Sequence, residues 1–311
     1  MTSVALVRDA RFRGHDPGPL HPESPARLVA IDHAIERSGL KIVECMARVA
    51  TGEEILRVHG AAHLEALHAA RGKRATFDPD TRASPGSVEA AELAAGGTID
   101  LALGVAKGEL PPGLALIRPP GHHATRDRMM GFCMLNNVAI AAEALRANGL
   151  AERIAIYDFD VHHGNGTEAI FYEDPNVFYL STHQWPLYPG TGPRHARGRG
   201  RGEGTTLNAP LPEGTNDETI VDISREALIP AVESFAPDFM LLSMGFDAHI
   251  DDPLGGFALT ARGFRELTLL WRDLAERVSK GRIAGVLEGG YDLDALGASV
   301  VEVLDGWAKG A

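Results

Sequence analysis

The sequence is poor in cysteine, has no excess of positive charge and contains no long apolar run. Its two cysteines, Cys45 and Cys133, exclude a four-cysteine zinc site and argue against a disulfide framework, which fits a reducing compartment. The formal net charge of −12 disfavours nucleic acid as the main partner and mildly favours a cationic substrate. No apolar stretch approaches the ~20 residues of a membrane span. The opening MTSVALVRDARFRGHD has a brief apolar patch but no basic leader. These absences lead us to expect a cytoplasmic protein with no membrane or nucleic-acid partner. Internal repeats and long low-complexity linkers are also missing. The one Gly/Arg-rich stretch, GTGPRHARGRGRGEGTT at 190–206, reads as a mobile surface loop.

What is present suits a globular chain: 311 residues, 44% hydrophobic and 23% charged, are enough for a sizeable core. Strand-length apolar runs alternate with helical patterns. Strands are expected at 114–117, 153–160, 177–183, 238–247 and 282–291. Helices are expected at 136–149, 216–236 and 260–281, with a short one in 164–174, and Gly149 stands where a helix would be capped. This alternation predicts an α/β fold, an open, mostly parallel sheet with helices on both faces.

In such sheets ligands bind outside the carboxyl ends of the strands. Four unusual polar sequences fall there: RPPGHHA after 114–117, DFDVHHGNG beginning at Asp158, GFDAH after 239–244 and EGGYD after 283–287. Asp158, Asp160 and His162 are spaced by two, so in extended backbone they face the same way. Asp160 and His162 can therefore grip one ion from a single segment, with Asp247 as the natural third ligand. Two carboxylates and one imidazole leave zinc an open position for water, as a catalytic site requires. The plainer alternative for one D-x-H is a hydrogen-bonded turn.

PPGHHA, DFDVHHGNG, MGFDAH and LEGGYD, in this order, resemble the signature segments of the histone deacetylase family, which also contains acetylpolyamine amidohydrolases. HPESPARL (21–28), GFCMLNNVAIAA (131–142), YPGTG (188–192) and DPLGGFALT (252–260) extend the resemblance over nearly the whole chain, so one domain over 1–311 is expected. The resemblance implies the three-layer arginase–deacetylase fold and zinc-dependent removal of acyl groups from amines. It also implies one zinc ion held by Asp160, His162 and Asp247.

Hydrolysis of an amide needs an activated water, a stabilised oxyanion and a protonated leaving amine. Zinc would serve the first two, by lowering the pKa of bound water from ~15.7 toward ~7 and by polarising the carbonyl. His122 and His123 are candidate acid and base, since an imidazole with a pKa of ~6.5 exchanges protons near neutrality. The resemblance pairs His122 with Asp158 and His123 with Asn165. A carboxylate stabilises imidazolium more than an amide does, so His123 is the expected base and His122 the more cationic partner. Tyr291 is expected to donate a hydrogen bond to the oxyanion. Some family members carry histidine there and deacetylate poorly.

By resemblance Gly131, Phe132 and Tyr188 line an acyl-lysine tunnel. Leu254 stands where polyamine-selective relatives carry a gatekeeper glutamate, which tilts the expected substrate toward acyl-lysine peptide or protein. Acetylpolyamines and other small N-acyl amines remain alternatives, and homo-oligomerisation is left open. The family further implies structural potassium. Asp158, Asp160, His162, Ser181 and Thr182 would form one site, mainly through backbone oxygens. Phe171, Asp174 and Val177 would contribute to a second. An arginase-like dimetal hydrolase is disfavoured because His163–Gly164 and Ala248–His249 lack the further aspartates. An acyl-lysine binder without catalysis is disfavoured by the intact His122, His123 and Tyr291.

Overall fold

A computed structural model of the chain describes residues 3–309. Eight strands form its sheet: β1 Val4–Val7, β2 Ile42–Cys45, β3 Gly113–Ala115, β4 Ile154–Asp158, β5 Val177–Gln184, β6 Thr206–Leu211, β7 Phe239–Met244 and β8 Ile283–Leu287. Their order is β2-β1-β3-β8-β7-β4-β5-β6, and every neighbouring pair is parallel. A separate two-stranded hairpin, Ala75–Thr76 with Arg82–Ala83, is antiparallel.

Every residue of β1, β3, β4, β5, β7 and β8 is buried, as strands covered on both faces must be. Helices Ala26–Ser38, Ala261–Val278 and Leu293–Lys309 pack together, as do Ser87–Lys107 and Asn137–Ala147. The Ser87–Lys107 helix approaches the sheet closely. A Cβ on Gly96 would lie 2.0 Å from the Arg48 carbonyl, and one on Gly97 would lie 2.7 Å from Val7, so only glycine fits at this crossing. No described helix is long and apolar enough to cross a membrane.

The expected alternation is present, with different details. Strand β3 closes at Ala115, although Leu116 still donates to the Val7 carbonyl at 3.0 Å. The segment expected as one helix over 216–236 is α-helical at Asp217–Ile223 and Ile229–Phe235, with a π-helical turn, Ser224–Leu228, between them. Pro230 has no N–H for the carbonyl four residues back and its ring crowds that turn, which accounts for the widened register. Asn216 caps the start, its side chain accepting from Thr219 N–H. The stretch 190–206 lies mostly at the surface, where Arg199 N–H donates to the Tyr172 carbonyl at 2.8 Å.

On the Ala261–Val278 helix, buried Phe264, Leu267, Thr268, Trp271, Leu274 and Ala275 recur at spacings of three and four and face the core. The Trp271 ring stacks on Tyr157 of β4, centroids 4.1 Å apart. Tyr157 shares a 2.9 Å hydrogen bond with Thr182 of β5. Aromatic packing thus braces the strand that ends in Asp158. At that last rung Asp158 pairs with Ser181 on one side and Ser243 on the other.

Candidate metal centre and active site

The strands that precede the four polar motifs, β3, β8, β7 and β4, lie side by side at the middle of the sheet. Because all run the same way, their carboxyl ends open on one rim, and residues far apart in the chain meet there. Asp160 and His162 follow β4 directly, and Asp247 follows β7. His162 Nδ1 is 3.1 Å from Asp160 Oδ1 and 3.1 Å from Asp247 Oδ2. One ligand atom from each residue lies within 4.8 Å of the others. All three residues are at least nine-tenths buried.

Backbone donors fix both carboxylates. Val161 N–H donates to Asp247 Oδ1 at 3.0 Å, and Gly289 N–H donates to Asp160 Oδ2 at 2.9 Å. A Cβ on Gly289 would stand 2.0 Å from Asp247 Oδ2, and one on Gly245 would stand 2.1 Å from Asp160 Oδ2. The cradle exists because glycine occupies both places. Burial and the Asp160 charge push Asp247 up to about 7, a sign of anionic charge concentrated without solvent. An oxygen–oxygen–nitrogen donor set, buried and fixed by backbone hydrogen bonds, fits a divalent cation such as zinc.

Beside this centre His122 and His123 are the middle residues of a turn closed by Ala124 N–H donating to the Gly121 carbonyl at 3.0 Å. Their rings lie 4.0 Å apart. His122 Nδ1 is 3.0 Å from Asp158 Oδ2, and His123 Nδ1 is 2.8 Å from Asn165 Oδ1. The two imidazoles are driven in opposite directions. Burial disfavours the charged form of His122, but Asp158 and Asp160 overcome it and hold its pKa well above the usual range. Burial, then the charges of His122 and His162, hold His123 well below it. The two surroundings thus favour the charged form at His122 and the neutral form at His123.

Tyr291 follows β8 in the Gly289–Gly290–Tyr291 turn. Burial and the Asp247 charge raise its phenol, which stays protonated and able to donate. Its ring meets Phe132 edge-on at 5.9 Å. Tyr188 lies edge-on to His123 at 5.2 Å and is 38% exposed, at the border of site and solvent. Gly131 has φ +58°, and a Cβ there would lie 2.4 Å from the His123 ring. Leu254 is partly buried on the loop after β7, its N–H held by Asp252 Oδ1 at 2.9 Å.

The residues considered for potassium fall in two places. Ser181 and Thr182 lie on β5, beside the strand that leads to Asp158, Asp160 and His162. Phe171, Asp174 and Val177 lie between the Asn165–Phe171 helix and β5. There the Phe171 carbonyl accepts from Asp174 N–H, and the Asp174 carboxylate pairs with Arg146 at 2.6 Å.

Three residues around the site escaped sequence reasoning. Asp252 accepts from Tyr291 N–H at 2.6 Å. Glu288 accepts from Gly121 and His122 N–H. Arg27 donates to the Glu288 and Gly290 carbonyls, both at 2.6 Å, and its guanidinium lies 5.1 Å from the centre of the Tyr291 ring. All three sit inside motifs visible in the sequence, but their partners are up to 263 positions away.

A parallel α/β sheet thus carries a buried two-aspartate, one-histidine cluster, a histidine pair and a phenol at its carboxyl rim, the groups that a metal-assisted hydrolase would need. The chain belongs to the histone deacetylase family, whose histone deacetylase domain matches residues 21–307. It is 43% identical over 295 residues to a probable deacetylase of Archaeoglobus fulgidus, covering 94% of this chain and 82% of that one. It is 39% identical over 295 residues to a histone deacetylase-like amidohydrolase of Pseudomonas aeruginosa, covering 92% and 77%. Among solved structures, the HD domain of HDA15 superposes with a TM-score of 0.94 at 36% identity, over 100% of this chain and 89% of that one. The architecture is the arginase–deacetylase fold.

Proposed function

We propose that the chain is a zinc-dependent deacetylase that removes acyl groups from N-acyl-lysine side chains or related N-acyl amines, acting as a single domain. The observation that carries this reading is the convergence of Asp160, His162 and Asp247 beside a histidine pair whose members are tuned in opposite directions. Zinc held by those three residues would lower the pKa of water toward ~7 and polarise the acyl carbonyl.

The chain's own groups supply the rest. His123, neutral and oriented by Asn165, takes the proton from the attacking water. Tyr291 donates its phenolic hydrogen to the carbonyl oxygen as negative charge builds there. His122, held as imidazolium by Asp158, stabilises the same charge. When the carbon–nitrogen bond breaks, the leaving nitrogen takes a proton from the imidazole pair, and carboxylate and free amine are formed. By the family resemblance, Gly131, Phe132 and Tyr188 would line a slim passage suited to an aliphatic chain, and the edge-on contacts of Phe132 with Tyr291 and of Tyr188 with His123 support that reading. Leucine at 254 offers no charge for a polyamine's secondary ammonium, which favours acyl-lysine. The family resemblance extends the proposal to structural potassium at the two places described.

The test is turnover of fluorogenic acetyl-lysine peptide, acetylspermidine and small N-acetyl amines by zinc-loaded protein. Activity on at least one, lost on chelation and restored by zinc, is expected. Tight hydroxamate binding with no turnover of any of them would instead make the chain an acyl-lysine binder.

A further inference from the structure

We propose that Glu288 is a positioning residue for the histidine pair, its buried carboxylate anchoring the backbone turn that carries His122 and His123. The proposal rests on the deacetylase reading above and concerns a residue that touches neither substrate nor the candidate metal centre's ligand atoms.

The turn Gly121–Ala124 belongs to no helix or strand, so something else must hold it. Glu288 Oε2 accepts from Gly121 N–H at 2.7 Å and from His122 N–H at 3.1 Å. From the other side the His122 carbonyl accepts from Gly166 and Thr167 N–H, at 3.0 and 3.1 Å. The His122 residue is therefore clamped through both its amide and its carbonyl. Glu288 is itself fixed: Ser243 Oγ donates to its Oε1 at 3.0 Å, Arg27 holds its carbonyl, and its N–H donates to the Met244 carbonyl at 2.9 Å. It is fully buried and stands at the end of β8, the strand between those leading to His122 and to Asp247. Removing it would leave two buried amides without an acceptor, a costly change that only movement of the turn would relieve.

A second metal centre is the rival explanation, because His122, Cys133 and Glu288 offer donors within 4.8 Å of one another. Their hydrogen bonds account for them without an ion. Asp158 takes His122 Nδ1, Cys133 Sγ donates to the Gly131 carbonyl at 3.2 Å, and both Glu288 oxygens accept as described.

Two variants separate positioning from bulk structure. Glu288→Gln keeps an oxygen for the two amides and turns its NH2 toward the Ser243 oxygen. Glu288→Ala removes the acceptor. Both are compared with wild type for kinetics on acetyl-lysine peptide, for zinc per chain and for the imidazole Nδ1–H resonances of His122 and His123. A misplaced histidine pair should slow chemistry more than binding, so Glu288→Ala is expected to lose about 100-fold in kcat, with KM within about threefold. Zinc should stay at one per chain and the two resonances should broaden or shift. Glu288→Gln should lose only about three- to tenfold.

The proposal is overturned if Glu288→Ala keeps near-wild-type kcat, or if activity falls only in step with lost zinc. It is also overturned if a folded, zinc-loaded Glu288→Gln is as slow as Glu288→Ala, since charge and not an acceptor would then be what matters. If Glu288→Ala does not fold, Glu288→Gln decides alone: a folded, zinc-loaded variant slowed by about 100-fold would overturn the proposal, and a loss of only about three- to tenfold with both histidine resonances in place would support it. A wild type inert on every acyl amine would refute the deacetylase reading. The resonances would then decide this proposal, unchanged signals in Glu288→Ala overturning it.

Discussion

Asp252 holds the backbone of Tyr291: its Oδ2 accepts from the tyrosine N–H at 2.6 Å, while Oδ1 accepts from Leu254 N–H at 2.9 Å. One buried carboxylate thereby links the loop after β7 to the turn after β8. The phenol proposed to meet the oxyanion and the leucine proposed to shape specificity share an anchor.

The role of that phenol is open to direct measurement. The substrate carbonyl is neutral, and its oxygen becomes anionic only as water attacks, so the donor acts mainly on the transition state. Tyr291→Phe should lower kcat by about two to three orders of magnitude, ~3–4 kcal/mol, with hydroxamate affinity and zinc content preserved. Near-normal kcat would remove Tyr291 from the mechanism. Lost zinc would make its role structural.

The glycine cradle predicts a steric route to metal loss without touching a ligand. A Cβ on Gly289 would stand 2.0 Å from Asp247 Oδ2 and 2.7 Å from Asp160 Oδ2. Gly289→Ala must displace one or both carboxylates. Metal analysis should give one zinc per wild-type chain and clearly less in the variant, with activity down at least about 100-fold. A variant that binds zinc and turns over normally would show that the carboxylates tolerate the shift and that the donor set has been misread.

Specificity is tested at Leu254. Introducing a carboxylate at the partly buried Leu254 should favour substrates with a secondary ammonium in their chain. Leu254→Glu should raise kcat/KM for acetylspermidine relative to acetyl-lysine peptide. A wild type that already prefers acetylspermidine by about tenfold or more, worth ~1.4 kcal/mol, would show that acids elsewhere set the choice.

Stability has its own marker in Trp271. It is fully buried and stacked on Tyr157. Trp271→Ala leaves a large cavity behind β4 and should cost about 3–5 kcal/mol by urea unfolding. A loss below ~1 kcal/mol would mean that the helix collapses onto the strand and that the brace is dispensable.

Much of this was legible in the sequence, for identifiable reasons. Strands covered on both faces are mostly apolar, so β4, β7, β8 and the first half of β5 stand out from their surroundings. Asp160, His162 and Asp247 betray themselves by spacing and by position at strand ends. The strand order is not local information: nothing near 283–287 says that β8 inserts between β3 and β7. The π-helical turn escaped because hydrophobic spacing barely registers one extra residue, although Pro230 was the available signal. Glu288, Asp252 and Arg27 escaped because each acts through backbone groups, and a backbone N–H or carbonyl has no letter in the sequence.

That insertion has a consequence for how the molecule is made. During synthesis β3, β4 and β7 all emerge before β8, yet β3 and β7 touch only through it. Within the sheet, β8 is the strand that joins the β2-β1-β3 side to the β7-β4-β5-β6 side. The histidine pair follows a strand of the first side and the candidate ligands follow strands of the second. The strand that closes the sheet is also the one that leads into Glu288, Gly289 and Tyr291. A chain halted before β8 would lack the joining strand and those three residues together.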